Sequence, residues 1–354
     1  MFTERINRVR ALCEAQSLDA IVVTNPDNVR YLTSFRWGIH SILLVSMQQA
    51  ILVARPTEYQ QAVEESFGCE VVLSQHKRPE QVIAKYVSSV ARVGYEPLSM
   101  SKHSYDTLRA SLPDQVSLVE SQDMVTEMRA VKEEWEIANI RKACVIYDQM
   151  AERVIPNLKT GMSELEMENL LEFEARRLGA DGFWFPSIVV SGPRSALPHG
   201  AASSRTVAPG EFLTIDMGPM YHGYPSDATR TIAFGAVSAE MQKVYDTVYD
   251  AQLQTLQACK PGAIASHVHD VSVRVIENAG YGRYYNHGVG HGVWGPPAVA
   301  PGSDRPLLPG MVVTIEPGIY IPGWGGVRIE DSVLITEHGH EALHSYTKHL
   351  VVRD

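Results

Sequence analysis

The chain has 354 residues, 45% of them hydrophobic, a formal net charge of −10 and four cysteines. That length allows two domains with a large core, and the acidic balance disfavours nucleic acid and anionic membrane as partners, since both are held through clustered Lys and Arg. The opening MFTERINRVRALCEAQSLDA has charges throughout and no apolar signal core, no stretch nears the roughly 18 apolar residues of a spanning helix, and Cys13, Cys69, Cys144 and Cys259 make no CxxC, so free thiols in a reducing cytoplasm are expected.

Glu4–Gln16 has the apolar spacing of an amphipathic helix. Ala20–Thr24, His40–Val45 and Gln49–Val53 read as strands, Thr57–Ser66 as a helix, and Val71–Leu73 and Ala91–Gly94 as short strands, which makes residues 1–123 an α/β domain. A second domain, 124–354, starts where Ser121–Arg129 passes into a helical stretch, Ala130–Ile155, stopped by Pro156. Ser163 and Glu166 form a capping box for a helix running towards Gly179. Leu213, Ile215 and Met217 alternate with Thr214 and Asp216 as in a strand. Pro219–Gly223 offers turn residues, and Asp227 lies on the return, ahead of Thr229–Phe234. Helices follow from Ser238 to before Pro261 and over Ser266–Asn278. Val312–Tyr320 reads as a strand, Pro322–Gly326 as a turn and Val327–Thr336 as the return. Helices interleaved with two hairpins predict an α+β domain with antiparallel strands at its centre.

Five residues in this domain stand out: Asp216 in TIDMG, Asp227 in PSDATRT, His291 in HGVGHGV, Glu316 in TIEPGIY and Glu330 in VRIED. One hairpin carries the two Asp, the other the two Glu, and each arm brings one carboxylate to a common face. Four carboxylates meeting in one buried place repel each other or take up protons unless cations compensate them. Two divalent ions supply the four positive charges. Ligation by carboxylates and one His, without Cys, suits manganese first, with cobalt, iron or zinc as alternatives. A pair of such ions about 3.5 Å apart is a device for activating water. A lone Asp in a strand is usually a turn or edge residue; five such residues in five motifs indicate a dinuclear metallohydrolase.

The order Asp, Asp, His, Glu, Glu in these contexts resembles the prolidase, aminopeptidase P and methionine aminopeptidase superfamily, and the run SGPRSALPHG (191–200) is closest to its Xaa-Pro peptidases. The resemblance covers nearly the whole chain. It implies a pita-bread catalytic domain, a curved antiparallel sheet flanked by helices, preceded by a smaller creatinase-like α/β domain. It also implies hydrolysis of the Xaa-Pro imide bond by a metal-bridging hydroxide. Asp216 would chelate one metal, Asp227 and Glu330 would bridge both, and His291 and Glu316 would complete the second. Glu316 would also accept the proton of the attacking water. His199 and His287 would orient the substrate or stabilise the tetrahedral intermediate, and Arg328 and Tyr320 would support the ligands. Small proline-containing peptides are the implied partners. A homodimer is implied too, one subunit's first domain closing the other's active site.

One segment departs from the family. Relatives follow the metal-ligand His with a pattern like GVGLEVHE and often a nearby Arg that grips a dipeptide's carboxylate. Here the chain reads GVWGPPAVAPGSD, position seven after His291 is Ala298, and no Arg occurs before Arg305. Arg305 or a partner subunit is left as the carboxylate anchor. The expected activity is that of a dipeptidase, with aminopeptidase P action on longer peptides as the alternative. A creatinase-like hydrolase or a non-catalytic binding protein on the same fold fits less well, because all five ligands are intact. Trp294, Pro296 and Pro297 either line the pocket or stiffen the loop. His267 and His269 are expected on solvated surface, and no carboxylate or thiol pattern accompanies His338, His340, His344 and His349.

Overall fold

The computed structural model describes residues 1–87 and 92–354. The chain gathers into two compact units, Met1–Arg129 and Ala130–Asp354.

The first unit holds helices α1 (Phe2–Ala15), α2 (Pro26–Thr33), α3 (Tyr59–Glu65), α4 (Pro79–Ile83), α5 (Lys102–Ser111) and α6 (Met124–Met128). Its strands are β1 (Ala20–Val23), β2 (Ile42–Ser46), β3 (Ala50–Ala54), β4 (Glu70–Leu73), β5 (Arg92–Tyr95) and β6 (Ser117–Glu120). They form one mixed sheet in the order β4-β3-β2-β1-β5-β6. Every residue of β1, β2 and β3 is buried, which is why these strands read as continuous apolar runs instead of alternating ones. Val22, Leu44, Val53 and Val93 meet Ile83 and Leu108 in its core. Ala91, first residue of the expected strand Ala91–Gly94, lies outside the described residues. The helix α2 carries no long apolar period. It is set by Pro26 at its first position and by Asn25, whose side chain accepts from the Asp27 amide.

The second unit begins with α7 (Glu134–Val154) and α8 (Glu164–Arg177). The helix read as Ala130–Ile155 starts only at Glu134: Val131 forms a bridge with Met311, and the Lys132 amide donates to the Gly310 carbonyl. Ser163 and Glu166 make the expected capping box of α8. Next come β7 (Gly182–Phe183), β8 (Ile188–Ser191), β9 (Glu211–Met217), β10 (Pro219–Tyr221), β11 (Tyr224–Pro225) and β12 (Ala228–Phe234). Pro219–Tyr221 is strand, not turn; it pairs with β11 and β7, and the reversal sits at His222–Gly223, both with positive φ. The helices α9 (Ala239–Ala258) and α10 (Ala265–Asn278) follow.

The remaining strands are β13 (Gly290–His291), β14 (Ala298–Val299), β15 (Val312–Ile315), β16 (Gly318–Ile321), β17 (Gly325–Arg328), β18 (Asp331–Ile335), β19 (His340–Ala342) and β20 (Val352–Arg353). The strand read as Val312–Tyr320 is therefore two, and so is its return. Pro317 has no N–H to donate and ends the ladder, so β15 pairs with β18 while β16 pairs with β17. The expected turn is shorter than Pro322–Gly326, since Gly325 and Gly326 already pair with Ile321 and Tyr320.

The helices cover these strands. Tyr147, Met150 and Leu171 of α7 and α8 bury Leu213, Ile215 and Ile232; Val244 and Val248 of α9 bury Ile319, Val327 and Ile329. Ala265 and Val268 of α10 do the same for Val313, Ile315 and Val333. Each fully buried Val, Leu or Ile contributes about 1.5–3 kcal/mol, so the polar inner residues of the strands are held by apolar outer ones. His269 of α10 is buried, not solvated: its Nδ1 accepts from the Val289 amide at 3.1 Å. Among the described residues, no helix is long and apolar enough to cross a membrane.

Candidate metal centre

Asp216 sits inside the β9 ladder opposite Thr229 of β12. Asp227 lies just before β12, Glu316 in the break between β15 and β16, and Glu330 in the break between β17 and β18. Asp216, Asp227 and Glu330 are buried. Each residue in a break is fixed from outside its own hairpin. The Glu330 amide donates to the Thr229 carbonyl at 3.1 Å and the Glu316 amide to the Val289 carbonyl at 2.8 Å. The Asp227 amide donates to Ser332 Oγ at 3.0 Å. Hydroxyls then aim the carboxylates: Thr229 donates to Glu330 at 2.6 Å and Thr314 to Glu316 at 3.1 Å.

His291 completes the cluster from β13. Its Nε2 lies 3.3 Å from Glu316 Oε1 and 3.7 Å from Asp227 Oδ2. The glycines around it are structural necessities. A Cβ on Gly290 would lie 1.9 Å from the Thr314 carbonyl oxygen, and one on Gly292 would lie 1.9 Å from that of Gly295. Close approach of the backbone thus explains the run GHG. Ligand atoms of Asp227, His291 and Glu330 all fall within 4.8 Å of one another.

These residues fit divalent metal. Burial, then the neighbouring carboxylates, push the carboxyl groups of Asp227 and Glu330 well above the usual range; burial is also the first cause of the rise at Glu316. Asp216 Oδ2 is paired with Arg328, but its Oδ1 is buried with no hydrogen-bond partner among the described residues. A buried acceptor without a donor, beside carboxylates that cannot all be charged, is the signature of a place built for cations.

Arg328, buried, reaches four parts of the site. It pairs with Asp216 and donates to Thr229 Oγ1 at 3.0 Å, to Tyr320 Oη at 2.9 Å and to the Pro198 carbonyl at 3.2 Å. The Gly288 carbonyl can only accept, so His287 Nδ1–H donates to it at 2.7 Å, and the Nε2 of the neutral ring accepts from Tyr320 Oη, 2.9 Å away. Burial, with Arg328 and His199 acting the same way, lowers the His287 pKa to about 4, so the ring is neutral. His199 is exposed on its loop. Arg305 is half-buried, and its carbonyl accepts from the Ala265 amide at the start of α10.

In the departing segment, Ala298 pairs directly across from His291 and is exposed. Trp294 is interior, edge-on to Tyr224 at 4.8 Å; Tyr224 in turn packs on Trp135 and donates to Glu136. Of its two readings, stiffening the loop is the one its burial fits. Sequence reasoning missed Trp184, whose ring meets that of His291 at 5.7 Å. The only signal was the aromatic run FWF before β8. It also missed Thr229 and Thr314, which lie inside the ligand motifs, and Ser332, which follows VRIED directly.

Residues 138–337 match Metallopeptidase family M24, and residues 5–131 match the Creatinase/Prolidase N-terminal domain. The Xaa-Pro dipeptidase of Pyrococcus horikoshii is 33% identical, over 99% of this chain and 99% of its own. The structure of an Xaa-Pro dipeptidase from Bacillus anthracis is 35% identical, with a TM-score of 0.94 over 99% of this chain and 100% of that one. An X-Pro aminopeptidase from Thermotoga maritima is 32% identical, with a TM-score of 0.90 over 98% and 99%.

Proposed function

The chain belongs to Metallopeptidase family M24, and we propose that within it this protein hydrolyses the Xaa-Pro imide bond of small peptides, dipeptides above all. The observation that carries the reading is the cluster itself: Asp227, His291 and Glu330 with ligand atoms within 4.8 Å, and Glu316 3.3 Å from His291. Asp227 and Glu330 would hold both of two divalent ions, manganese first, with Asp216 on one and His291 and Glu316 on the other. Ions held there supply Lewis acidity, which acidifies water and polarises a carbonyl.

The chain's own groups carry the rest. Glu316 accepts the proton of the attacking water and hands it to the departing proline nitrogen as the C–N bond breaks. His199 donates to the carbonyl oxygen as it gains charge. His287, neutral and oriented by Tyr320 and Gly288, stands beside it. Arg328 keeps Asp216 in place through a buried ion pair. Arg305 takes the free carboxylate of the dipeptide. In the same reading the protein is a homodimer; Trp37 and Ile39 are large apolar side chains left exposed on one loop of the first unit. Light scattering giving a monomer mass with full activity would remove the dimer.

The exposed Ala298 opposite His291 favours a second reading, aminopeptidase P action on longer peptides, because that place offers no cation for a carboxylate. Comparison of Met-Pro, Met-Pro-amide and Met-Pro-Ala, in the manganese-loaded wild type and in Arg305→Ala, separates the two. The dipeptidase reading expects Met-Pro to be best, with KM rising about tenfold (~1.4 kcal/mol) in the variant. Faster cleavage of Met-Pro-Ala selects the aminopeptidase.

A further inference from the structure

Outside the metal cluster, Glu164 is a completely buried carboxylate with both oxygens bonded. Glu164, the first residue of α8, takes donors from Ser191, the last residue of β8, and from two points of the segment that follows it. Its Oε1 accepts from the Ser191 amide at 2.7 Å and the Ser191 hydroxyl at 2.9 Å. Its Oε2 accepts from Arg194 Nε at 3.0 Å, the Ser203 amide at 3.0 Å and the Ser203 hydroxyl at 2.7 Å. The backbone repeats the attachment: the Glu164 and Leu165 amides, which have no partner within the helix, donate to the carbonyls of Arg205 and Ser203. One side chain thus closes the loop 191–203 at both ends. Its charge is met by Arg194, the first turn of α8 and four hydroxyl or amide dipoles.

That loop carries His199, and the backbone on either side of His199 is held by an arginine. Arg328 donates to the Pro198 carbonyl, one residue before it. Arg194, bound to Glu164 through Nε, donates through Nη2 to the Ala201 carbonyl, two residues after it. The middle of the loop is anchored as well, since Ser195 Oγ accepts from the Gly326 amide of β17 at 2.8 Å. His199 itself is exposed. Its position is therefore inherited from these backbone anchors.

We infer that Glu164 is a positioning residue for catalysis: through Arg194, Ser191 and Ser203 it sets where His199 stands over the metal cluster. The inference rests on the reading above in which His199 contacts the substrate. Gln at position 164 keeps the shape but turns two donors towards donors, so the clamp opens at one end. A displacement of about 1 Å in a reacting group costs on the order of 10²-fold in rate.

The test is a double-mutant cycle on Met-Pro in the manganese-loaded enzyme: Glu164→Gln, His199→Ala and both together, with kcat and KM measured separately and metal content determined in each sample. Glu164→Gln should lose about tenfold or more in kcat/KM with wild-type metal content. The double variant should be no slower than His199→Ala alone, within about twofold. Losses that multiply, loss of metal in Glu164→Gln, or an unaffected His199→Ala each overturn the inference. Should Glu164→Gln not fold, Arg194→Met, at a partly exposed position, breaks the same link and must show the same dependence on His199. Hydrogen exchange in these samples needs no substrate. Glu164→Gln should speed exchange in residues 191–205 and leave β9 and β12 unchanged; unchanged loop exchange sinks the inference. A wild type that cleaves no Xaa-Pro peptide would sink the proposed substrate instead, leaving the exchange result to decide here.

Discussion

The two hairpins that bring the carboxylates together are built on different principles. The first is one unbroken ladder, seven residues of β9 against seven of β12, and Asp216 is fixed by register opposite Thr229. The second is interrupted on both arms at the same level: Glu316 and Pro317 leave one strand, Ile329 and Glu330 the other. There the ladder fixes nothing. The amides of Glu316 and Glu330 bond instead to Val289, next to the His291 strand, and to Thr229 of the first hairpin. Asp227 returns the exchange through Ser332 of the second. A regular hairpin supplies a rigid reference. An irregular one lets longer Glu side chains be steered by contacts from elsewhere, and that joins the halves into one site.

The greatest damage should come from Asp227→Ala. It removes a carboxylate whose ligand atom lies within 4.8 Å of those of both His291 and Glu330, while the backbone tie to Ser332 stays. Two-metal occupancy and turnover should vanish together; two tightly held ions and normal turnover would take Asp227 out of the site. Glu316→Gln comes next. Its amide can still sit in the break, so metal should remain measurable, but it cannot accept a proton, and rate should fall about 10²–10⁴-fold. Near-normal turnover with full metal would give the proton to another group.

The same contrast explains what could be read in advance. β9 alternates, so Asp216 was legible as an inward strand residue, and β12 followed. The breaks at Glu316 and Glu330 were not, because VTIEPGIYI and VRIEDSVLI look like continuous strands; only Pro317 hinted otherwise, and its partner Ile329 carries no signal. The helix caps were legible where chemistry is local, as at Ser163 and Glu166. Contacts across long separations were not. Thr229 aims Glu330 from 101 residues away, and Glu164 reaches Ser203 across 39. His269 was misplaced on the surface because one helical turn does not reveal which face meets Val289.

Smaller effects sharpen the comparison. Thr229→Val keeps volume but removes the hydroxyl that bonds the Glu330 carboxylate and accepts from Arg328. Loss of one buried charged hydrogen bond costs about 1.5–3 kcal/mol, which should appear as weaker metal binding in a chelator competition. Ser332→Ala touches only the Asp227 backbone and should weaken binding less, by about 0.5–1.5 kcal/mol. The reverse ranking would mean that backbone placement, not side-chain aim, limits the site.

A last test concerns a link between the halves that no metal supplies. Beyond the second hairpin, His344 lies buried against Asp148 of α7, at 3.3 Å, and the Ser345 amide and hydroxyl bond the same carboxylate. The helix α7 is the one that backs the first hairpin. Burial alone would lower the His344 pKa, but Cys144 and Asp148 outweigh it and raise it to about 10. A group whose folded pKa lies above its unfolded value stabilises fully below the unfolded value, 6.5, and loses that contribution as pH rises through the folded one. The window is therefore alkaline, from about neutral to pH 10. Urea midpoints at pH 7 and pH 10 should show the wild type losing more stability than His344→Gln, because only the wild type has this raised imidazole to discharge. Equal losses in both proteins would mean that the imidazole is uncharged in the folded state, and that the C-terminal segment is held to α7 by Ser345 and packing alone.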